Sequence, residues 1–401
     1  MSQAPQQSAA PDVQMPSKPP FWRDPEKRAL VFQALALGFV FYLGYSLVSN
    51  TMANLERQGI ASGFDFLSVS TGFSIAESLI FYDEDSSYLD AFFVGLGNTI
   101  YVSIVGIILA TVLGFAIGVA RLSNNFLVSR LAAVYVDTLR NLPLLLQIFF
   151  WYFAVLRPLP KPRNAIEFGD SVFLSNRGLV GPKPIWEDGA GLIGWAVVIA
   201  ILAAIGIGKW ARKRQAATGQ AFPVWRTAFA LIVLLPLAAA AVTGFPVTFE
   251  EPVLKGFNFR GGATLTPEFA ALVLALSTYT ASFIAEIVRS GIMAINKGQT
   301  EAAYALGLQP GITMRLVIIP QALRVIIPPL TSQYLNLTKN SSLAAAIAYP
   351  DLVAVFAGTA LNQTGQAVEI MSMTLAVYLF LSLVISAFMN WYNAKMALVE
   401  R

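Results

Sequence analysis

The chain contains neither cysteine nor histidine in 401 residues. Without cysteine it can form no disulfide, thiol nucleophile or thiolate metal site. Without histidine it lacks the usual general base and the commonest metal ligand. A Ser-His protease, a haem site and a zinc hydrolase are thereby excluded, and no metal site is expected. A Gly-x4-Gly-Lys-Ser/Thr run is also absent, so the chain cannot cradle ATP in a P-loop and should bind no cofactor of its own. Charge is scarce: Asp, Glu, Lys and Arg make up 12% of the residues, against about 25% in soluble proteins. No period of roughly 20–50 residues repeats along the chain. Nor is there an inverted pair of interrupted helices of the secondary-transporter kind.

What is present is apolar. Hydrophobic residues are 56% of the chain and fall in long uncharged runs. The chain therefore reads as an integral membrane protein in contact with a lipid bilayer. Crossing a ~30 Å hydrocarbon core takes about 20 apolar residues. Eight segments qualify or nearly do: 29–48, 91–120, 131–156, 191–208, 227–244, 266–288, 317–338 and 368–391. The third carries Asp137 and Arg140 near its start, and the sixth contains Glu286. Pro320, Pro328 and Pro329 are expected to interrupt the seventh. The expected fold is all-α, a polytopic transmembrane helical bundle of eight spans. Residues 1–20, rich in Ser, Gln, Pro and Ala, read as a disordered tail without the basic n-region of a secretory signal.

Lys and Arg set the sidedness. Lys18, Arg23, Lys27 and Arg28 precede the first span. Arg121, Arg130 and Arg140 follow the second, Lys209, Arg212, Lys213, Arg214 and Arg226 the fourth, and Arg289, Lys297 and Arg315 the sixth. With eight spans all of these share one side, which should be cytoplasmic together with both termini. The first outer loop, 49–90, has seven acidic residues and only Arg57. Loop 157–190 runs against the rule with five basic residues, offset by four acids. The net charge of +4 thus marks loops, and no nucleic-acid partner is expected.

The most informative stretch is Glu301-Ala302-Ala303-Tyr304-Ala305-Leu306-Gly307, then Leu308-Gln309-Pro310-Gly311 and Val317-Ile318-Ile319-Pro320. Residues 299–308 should form a short helix between two spans. Ala302 and Ala303 would leave a shallow face for a partner. Gly307 suits a left-handed C-terminal cap, and Pro310 should stop the helix.

This stretch resembles the EAA signature of ABC-importer permeases: Glu-Ala-Ala, three residues, Gly, nine residues, Ile-x-Leu-Pro. Further blocks are similar to the polar-amino-acid uptake family of those permeases. They are Gly97-Asn98-Thr99-Ile100-Tyr101-Val102-Ser103, the run Tyr135 to Gln147 with Asn141-Leu142-Pro143, the run Ala281 to Ile292, and Leu337-Thr338-Lys339-Asn340-Ser341-Ser342-Leu343. The resemblance covers about residues 91–156 and 266–395. It implies a type I ABC-importer permease core of five spans, supplied here by spans two, three, six, seven and eight. The domains then divide as a cytoplasmic tail (1–28), an extra span with its outer loop (29–90), the first core part (91–156), an insertion with two extra spans (157–265) and the second core part with the EAA loop (266–401). Size, insertion and the Asn176-Arg177-Gly178 loop resemble the broad-specificity general L-amino-acid permeases of Gram-negative bacteria.

The resemblance also implies partners and a location. They are a second permease subunit in a heterodimer, two P-loop ATPases holding ATP and Mg, and a periplasmic amino-acid-binding protein, all at the bacterial inner membrane. Coupling to the ATPases would run through Glu301, Ala302, Ala303, Gly307, Leu308, Gln309 and Pro320. The candidate path for an L-amino acid comprises Glu286, Arg289, Ser282 and Tyr279 on span six, with Gln147, Asn98 and the polar run Thr338, Lys339, Asn340, Ser341 and Ser342. Glu286 and Arg289 share one helical face, so they are either a mutual ion pair or a contact for a zwitterion. Asp137 and Arg140 are expected to pair in the same way. Pro143 should kink its helix and expose Gln147. Gly114 and Gly118 permit close helix packing.

Two other classes compete. A secondary transporter or channel would need intramembrane carboxylates for ion coupling, and only Glu286 and Asp137 are candidates. An intramembrane enzyme lacks His, Cys and paired aspartates. The topology is directly testable, because the chain has no native thiol. An outside-only maleimide should label Ser86→Cys and spare Lys213→Cys in outer-permeabilised cells. Labelling at 213 would overturn the eight-span arrangement.

Overall fold

The computed structural model describes residues 22, 24–58 and 62–396. The expected tail, residues 1–20, lies outside the described residues. Among the described residues seven helices are long and apolar enough to cross a membrane, and one bent pair makes an eighth if it is counted as one span. Helix α1 (Pro25–Gln58) has no fully buried described side chain. Helix α2 (Tyr88–Ala120) starts at a capping box, in which Ser87 and Asp90 satisfy each other's backbone N–H. Asn125 caps α3 (Phe126–Asn141) by accepting from Leu127 and Val128.

The third expected span is not one rod. After α3 the chain bends by 108° at Leu142-Pro143 and resumes as α4 (Leu144–Phe149), closed by a π-helical stretch, Phe150–Leu156. Pro143 cannot donate to the helix and holds Leu142 extended, which accounts for the break.

Residues 157–265, expected to be an insertion, carry two helices, α5 (Ala190–Thr218) and α6 (Val224–Val242). They pack mainly on each other as a hairpin. The segments around them are not plain loops. Strands β1 (Ile166–Phe168), β2 (Val172–Ser175), β3 (Gly178–Gly181) and the later β8 (Ala263–Leu265) form an antiparallel sheet in the order β1-β2-β3-β8. Strand β4 (Lys183–Trp186) pairs with β5 (Val247–Glu250), and β6 (Val253–Lys255) with β7 (Asn258–Arg260). Asn176 and Arg177 form the two-residue turn of the β2–β3 hairpin. Gly178 has φ +111°, and a β-carbon there would sit 2.1 Å from the Leu265 carbonyl oxygen. The small sheet thus closes over the start of the next helix.

That helix, α7 (Pro267–Met293), is capped by Thr266, whose hydroxyl accepts from the Phe269 N–H at 3.2 Å. It is the most buried span of the bundle. Short α8 (Lys297–Ala305) and α9 (Pro310–Thr313) follow, then a π-helical turn, Met314–Ile318, and α10 (Ile319–Asn340). The expected proline interruption does not occur: α10 runs unbroken through Pro328 and Pro329. It packs against α7, α12 and α2 where the missing N–H groups would weaken an isolated helix. A 3-10 stretch, Ser341–Ile347, turns the chain at Ala348 (φ +61°). A π-helical segment, Val353–Ala360, then leads through α11 (Leu361–Thr364) to the last span, α12 (Ala367–Met396).

Helices α2 and α7 cross at van der Waals distance. A β-carbon on Gly114 would lie 2.5 Å from Ile284 Cβ, and one on Gly118 2.7 Å from Val288 Cβ. Gly114→Val and Gly118→Val should each cost about 1–3 kcal/mol, the usual range for overpacking. Gly97→Ala, with only Leu79 Cδ1 at 3.9 Å, should be tolerated. The measurement is the temperature at which detergent-solubilised protein loses its monodisperse peak; equal midpoints for all three variants would refute the tight crossing.

Candidate functional site

At one end of the bundle, α8 stands out between α7 and α10. Asn296 caps it by accepting from the Gly298 N–H at 2.8 Å. Gly307 has φ +76°, with its N–H on Tyr304 O at 2.9 Å and the Leu308 N–H on Ala303 O at 3.1 Å. This pair of bonds is a Schellman cap, and a left-handed residue is its requirement. Of the two alanines, Ala303 packs inward and Ala302 faces out with Glu301 and Gln309. Tyr304 is 49% and Leu306 81% exposed. Pro310 does more than end a helix: it opens α9. Pro320 sits exposed in the first turn of α10, and Gln321 of that turn donates to Gln299 at 3.3 Å, tying α8 to α10.

Beside it lies an ionic cluster. Glu286 accepts from Arg121 at the end of α2, and from Arg289 Nη2 at 2.6 Å and Nε at 3.2 Å. Arg140 Nη1 lies 3.9 Å from the same carboxylate. The expected Asp137–Arg140 pair does not form. Asp137 approaches Arg121 at 4.0 Å, while Arg140 covers the Phe283 ring at 5.1 Å. One carboxylate thus gathers guanidiniums from α2, α3 and α7. The sequence offered Arg121 only as a marker of sidedness; its partner on α7 lies 165 positions away, and no local spacing could reveal it.

The other polar residues are placed as follows. Ser282 is buried and donates to Tyr279 O at 2.6 Å, and the Tyr279 ring leans on Phe283. Contrary to expectation Gln147 is not exposed but buried at the α3–α4 bend, where its amide donates to Leu139 O and Leu142 O, both at 3.0 Å, carbonyls that the bend leaves free. Asn98 is buried and donates to Glu77 O at 2.8 Å and Pro350 O at 2.9 Å. Thr338, Ser341 and Ser342 donate back to Tyr334, Thr338 and Lys339 carbonyls. The α-helix ends within this run, at Asn340; Ser341 opens the 3-10 stretch, and the chain turns at Ala348. Lys339 is exposed, and Asn340 is partly so.

The opposite end of α7 holds a second group of charges. Thr266 donates to Glu77 Oε2 at 2.7 Å, and Tyr152 donates to Glu268 Oε1 at 2.7 Å. Burial raises the Glu77 carboxyl above the ordinary carboxylate range; the Thr266 bond opposes this and the Glu268 charge adds to it. Among the described residues no group of three or more His, Cys, Asp or Glu could hold a metal ion.

The ionic cluster carries a stability prediction. Glu286→Gln leaves three guanidiniums without their shared carboxylate. Hydrogen bonds to charged groups are worth about 1.5–3 kcal/mol, and a loss in that range is expected. A double-mutant cycle with Arg121→Gln should show a coupling of roughly 0.5–3 kcal/mol in thermal unfolding of the solubilised protein. Additive effects would show that the two side chains do not share a bond.

Residues 196–398 match the family model described as "Binding-protein-dependent transport system inner membrane component". The chain is 56% identical over 382 residues to the general L-amino acid transport system permease protein AapQ of Rhizobium johnstonii, covering 94% of each chain. It is 54% identical to the putative amino-acid ABC transporter permease protein YhdX of Escherichia coli, over 94% of this chain and 96% of that one. It is 43% identical to the glutamate/glutamine/aspartate/asparagine transport system permease protein BztB of Rhodobacter capsulatus, again over 94% and 96%. With eight apolar spans, the family match and these relatives aligned along nearly its whole length, the chain belongs to the inner membrane components of binding-protein-dependent transport systems.

Proposed function

We propose that this chain is the permease subunit of an ABC importer for L-amino acids, driven by partner ATPases through α8. The observation that carries this reading is α8 itself. It is a short helix held out between two spans, exposing Tyr304 and Leu306 and capped by a left-handed Gly307. An exposed apolar tip on a helix that ends in a fixed turn is suited to a groove on a partner. The substrate class rests on the relatives, whose names specify amino acids.

In this reading the subunit performs translocation and no covalent chemistry. Two ATPases with bound ATP and Mg would close and push α8 and its counterpart in a second permease. The subunit would pass between two states, and a periplasmic binding protein would deliver the ligand. Both termini would lie on the α8 side, in the cytoplasm. Lys339 and Asn340, which make no side-chain hydrogen bond among the described residues, are the members of the polar run free to meet a substrate. A secondary transporter is disfavoured: Glu286 is occupied by guanidiniums and Asp137 lies near Arg121, so neither is a free ion-coupling carboxylate.

The test is Gly307→Asp. A β-carbon in the left-handed region costs on the order of 1 kcal/mol, too little to unfold eight spans. Nothing lies within 4 Å of that β-carbon, so the fold has room for it. The variant should insert and co-purify normally yet lose ATPase activity stimulated by the binding protein. Full stimulated activity with full uptake would show that α8 is not the coupling element.

A further inference from the structure

The sheet of the insertion and the start of α7 enclose a cavity of about 350 Å³. That volume is within the ~300–1,000 Å³ typical of small-molecule sites. Its wall brings together four charged residues from four parts of the chain. Glu77 comes from the loop before α2, Arg157 from the end of the bent span, Arg177 from the β2–β3 turn and Glu268 from the first turn of α7. Asn176 of the same turn also lines it.

These groups are incompletely satisfied by the protein. Among the described residues neither Arg157 nor Arg177 makes an ion pair. Thr266 occupies Glu77 Oε2 and Tyr152 occupies Glu268 Oε1, so among the described residues each carboxylate keeps one oxygen that accepts no side-chain or backbone bond. The Asn176 side-chain oxygen is buried and without a partner. A buried acceptor left unpaired costs about 1–3 kcal/mol, and a ligand donor would relieve that cost. A single cation or anion would meet like charge on half of this wall. A zwitterion with adjacent ammonium and carboxylate meets opposite charge on both sides.

The neighbourhood adds a place for a side chain. A second cavity of about 630 Å³ shares Ala76, Ala348 and Pro350 with the first. Its remaining wall is uncharged and includes Phe73, Ile75, Val353 and Val355. Charged contacts to the common end of a substrate, beside a roomy neutral space, give affinity with little discrimination among side chains.

We propose that this cavity holds the α-amino and α-carboxylate end of the transported amino acid at the end of the bundle opposite α8. The guanidiniums of Arg157 and Arg177 take the α-carboxylate. Glu77, Glu268 and the Asn176 oxygen take the α-ammonium. The site deepens, and rests on, the amino-acid import reading; α7, of 27 residues, separates it from the coupling helix by about 40 Å. The insertion is then a working part of the permease, because its hairpin turn supplies Asn176 and Arg177.

The chain's lack of cysteine gives a direct assay. Thr264 is an exposed residue of β8 that lines the cavity. In the full chain with its co-purified partners, Thr264→Cys is labelled by a polar maleimide with and without L-glutamine, in the absence of ATP. Asn258→Cys, also on the cavity wall, is a second reporter should the first not react. L-Glutamine should slow labelling several-fold, and N-acetyl-L-glutamine, which lacks the ammonium, should not. Arg177→Gln and Glu77→Gln should each raise the protecting concentration by about tenfold, the loss expected for one charge-assisted hydrogen bond. Labelling that is unchanged by glutamine at any concentration overturns the proposal. So does equal protection by glutamine and N-acetyl-L-glutamine, which would show that the cavity makes no contact with the ammonium. Neither result bears on ATP-driven coupling, because the assay uses no nucleotide. Conversely, an inert Gly307→Asp phenotype would leave this binding assay unaffected.

Discussion

The structure depends on how closely α2 and α7 approach each other. In a bilayer, lipid tails are as apolar as leucine, so no hydrophobic drive pulls spans together. Dispersion contacts must do so, and these fall off within an ångström. Gly114 and Gly118 remove the side chains that would hold the helices apart, and Ile284 and Val288 fill the space. Gly291 repeats the device one turn further along α7, where a β-carbon would meet Ile326 of α10 at 2.4 Å. The three helices are thereby packed as one body, and the charged groups at both ends are positioned from it.

At the α8 end the tight crossing brings Arg121 of α2 beside Glu286 of α7. A charged group within a span is costly unless it is paired. Here the pairing is shared among three helices, with Arg140 arriving from α3. The cluster therefore joins the first half of the core to the second at the level from which α8 emerges. Side-chain identity matters in this arrangement. A guanidinium can address two oxygens at fixed angles, and a lysine ammonium cannot reproduce that fork.

Much of this was legible in the sequence. Eight apolar runs correspond to seven helices and one bent pair, because apolar length alone decides which segments can cross a bilayer. Gly307 was legible because a left-handed cap has a local signature. Pro143 marked a true break, whereas Pro328 and Pro329 did not. The difference is tertiary: α10 is flanked by α2, α7 and α12, and Pro143 lies where the chain turns away. The sheets of the insertion were missed because strands of three or four residues carry too few positions to show an alternation. The partners of Glu286, and the meeting of Glu77 with Thr266, were beyond reach because they join residues far apart in the chain.

The same packing shows how residues 157–265 are joined to the bundle. Helices α5 and α6 pack mainly on each other, so the pair leaves the packing of α7 with α2, α3 and α10 undisturbed. The short strands on either side of that hairpin must then return the chain to α7. They do so by pairing β3 with β8, which places the Asn176-Arg177 turn next to Thr266 and Glu268. Gly178 allows this approach, since any side chain there would strike the Leu265 carbonyl. The inserted segment is thus fixed to the same helix that carries Glu286 and leads into α8. A change in the tilt of α7 moves the floor of the cavity at one end and the base of α8 at the other. Because α7 is a single unbroken helix packed along α2, a rigid tilt of it would shift both ends together.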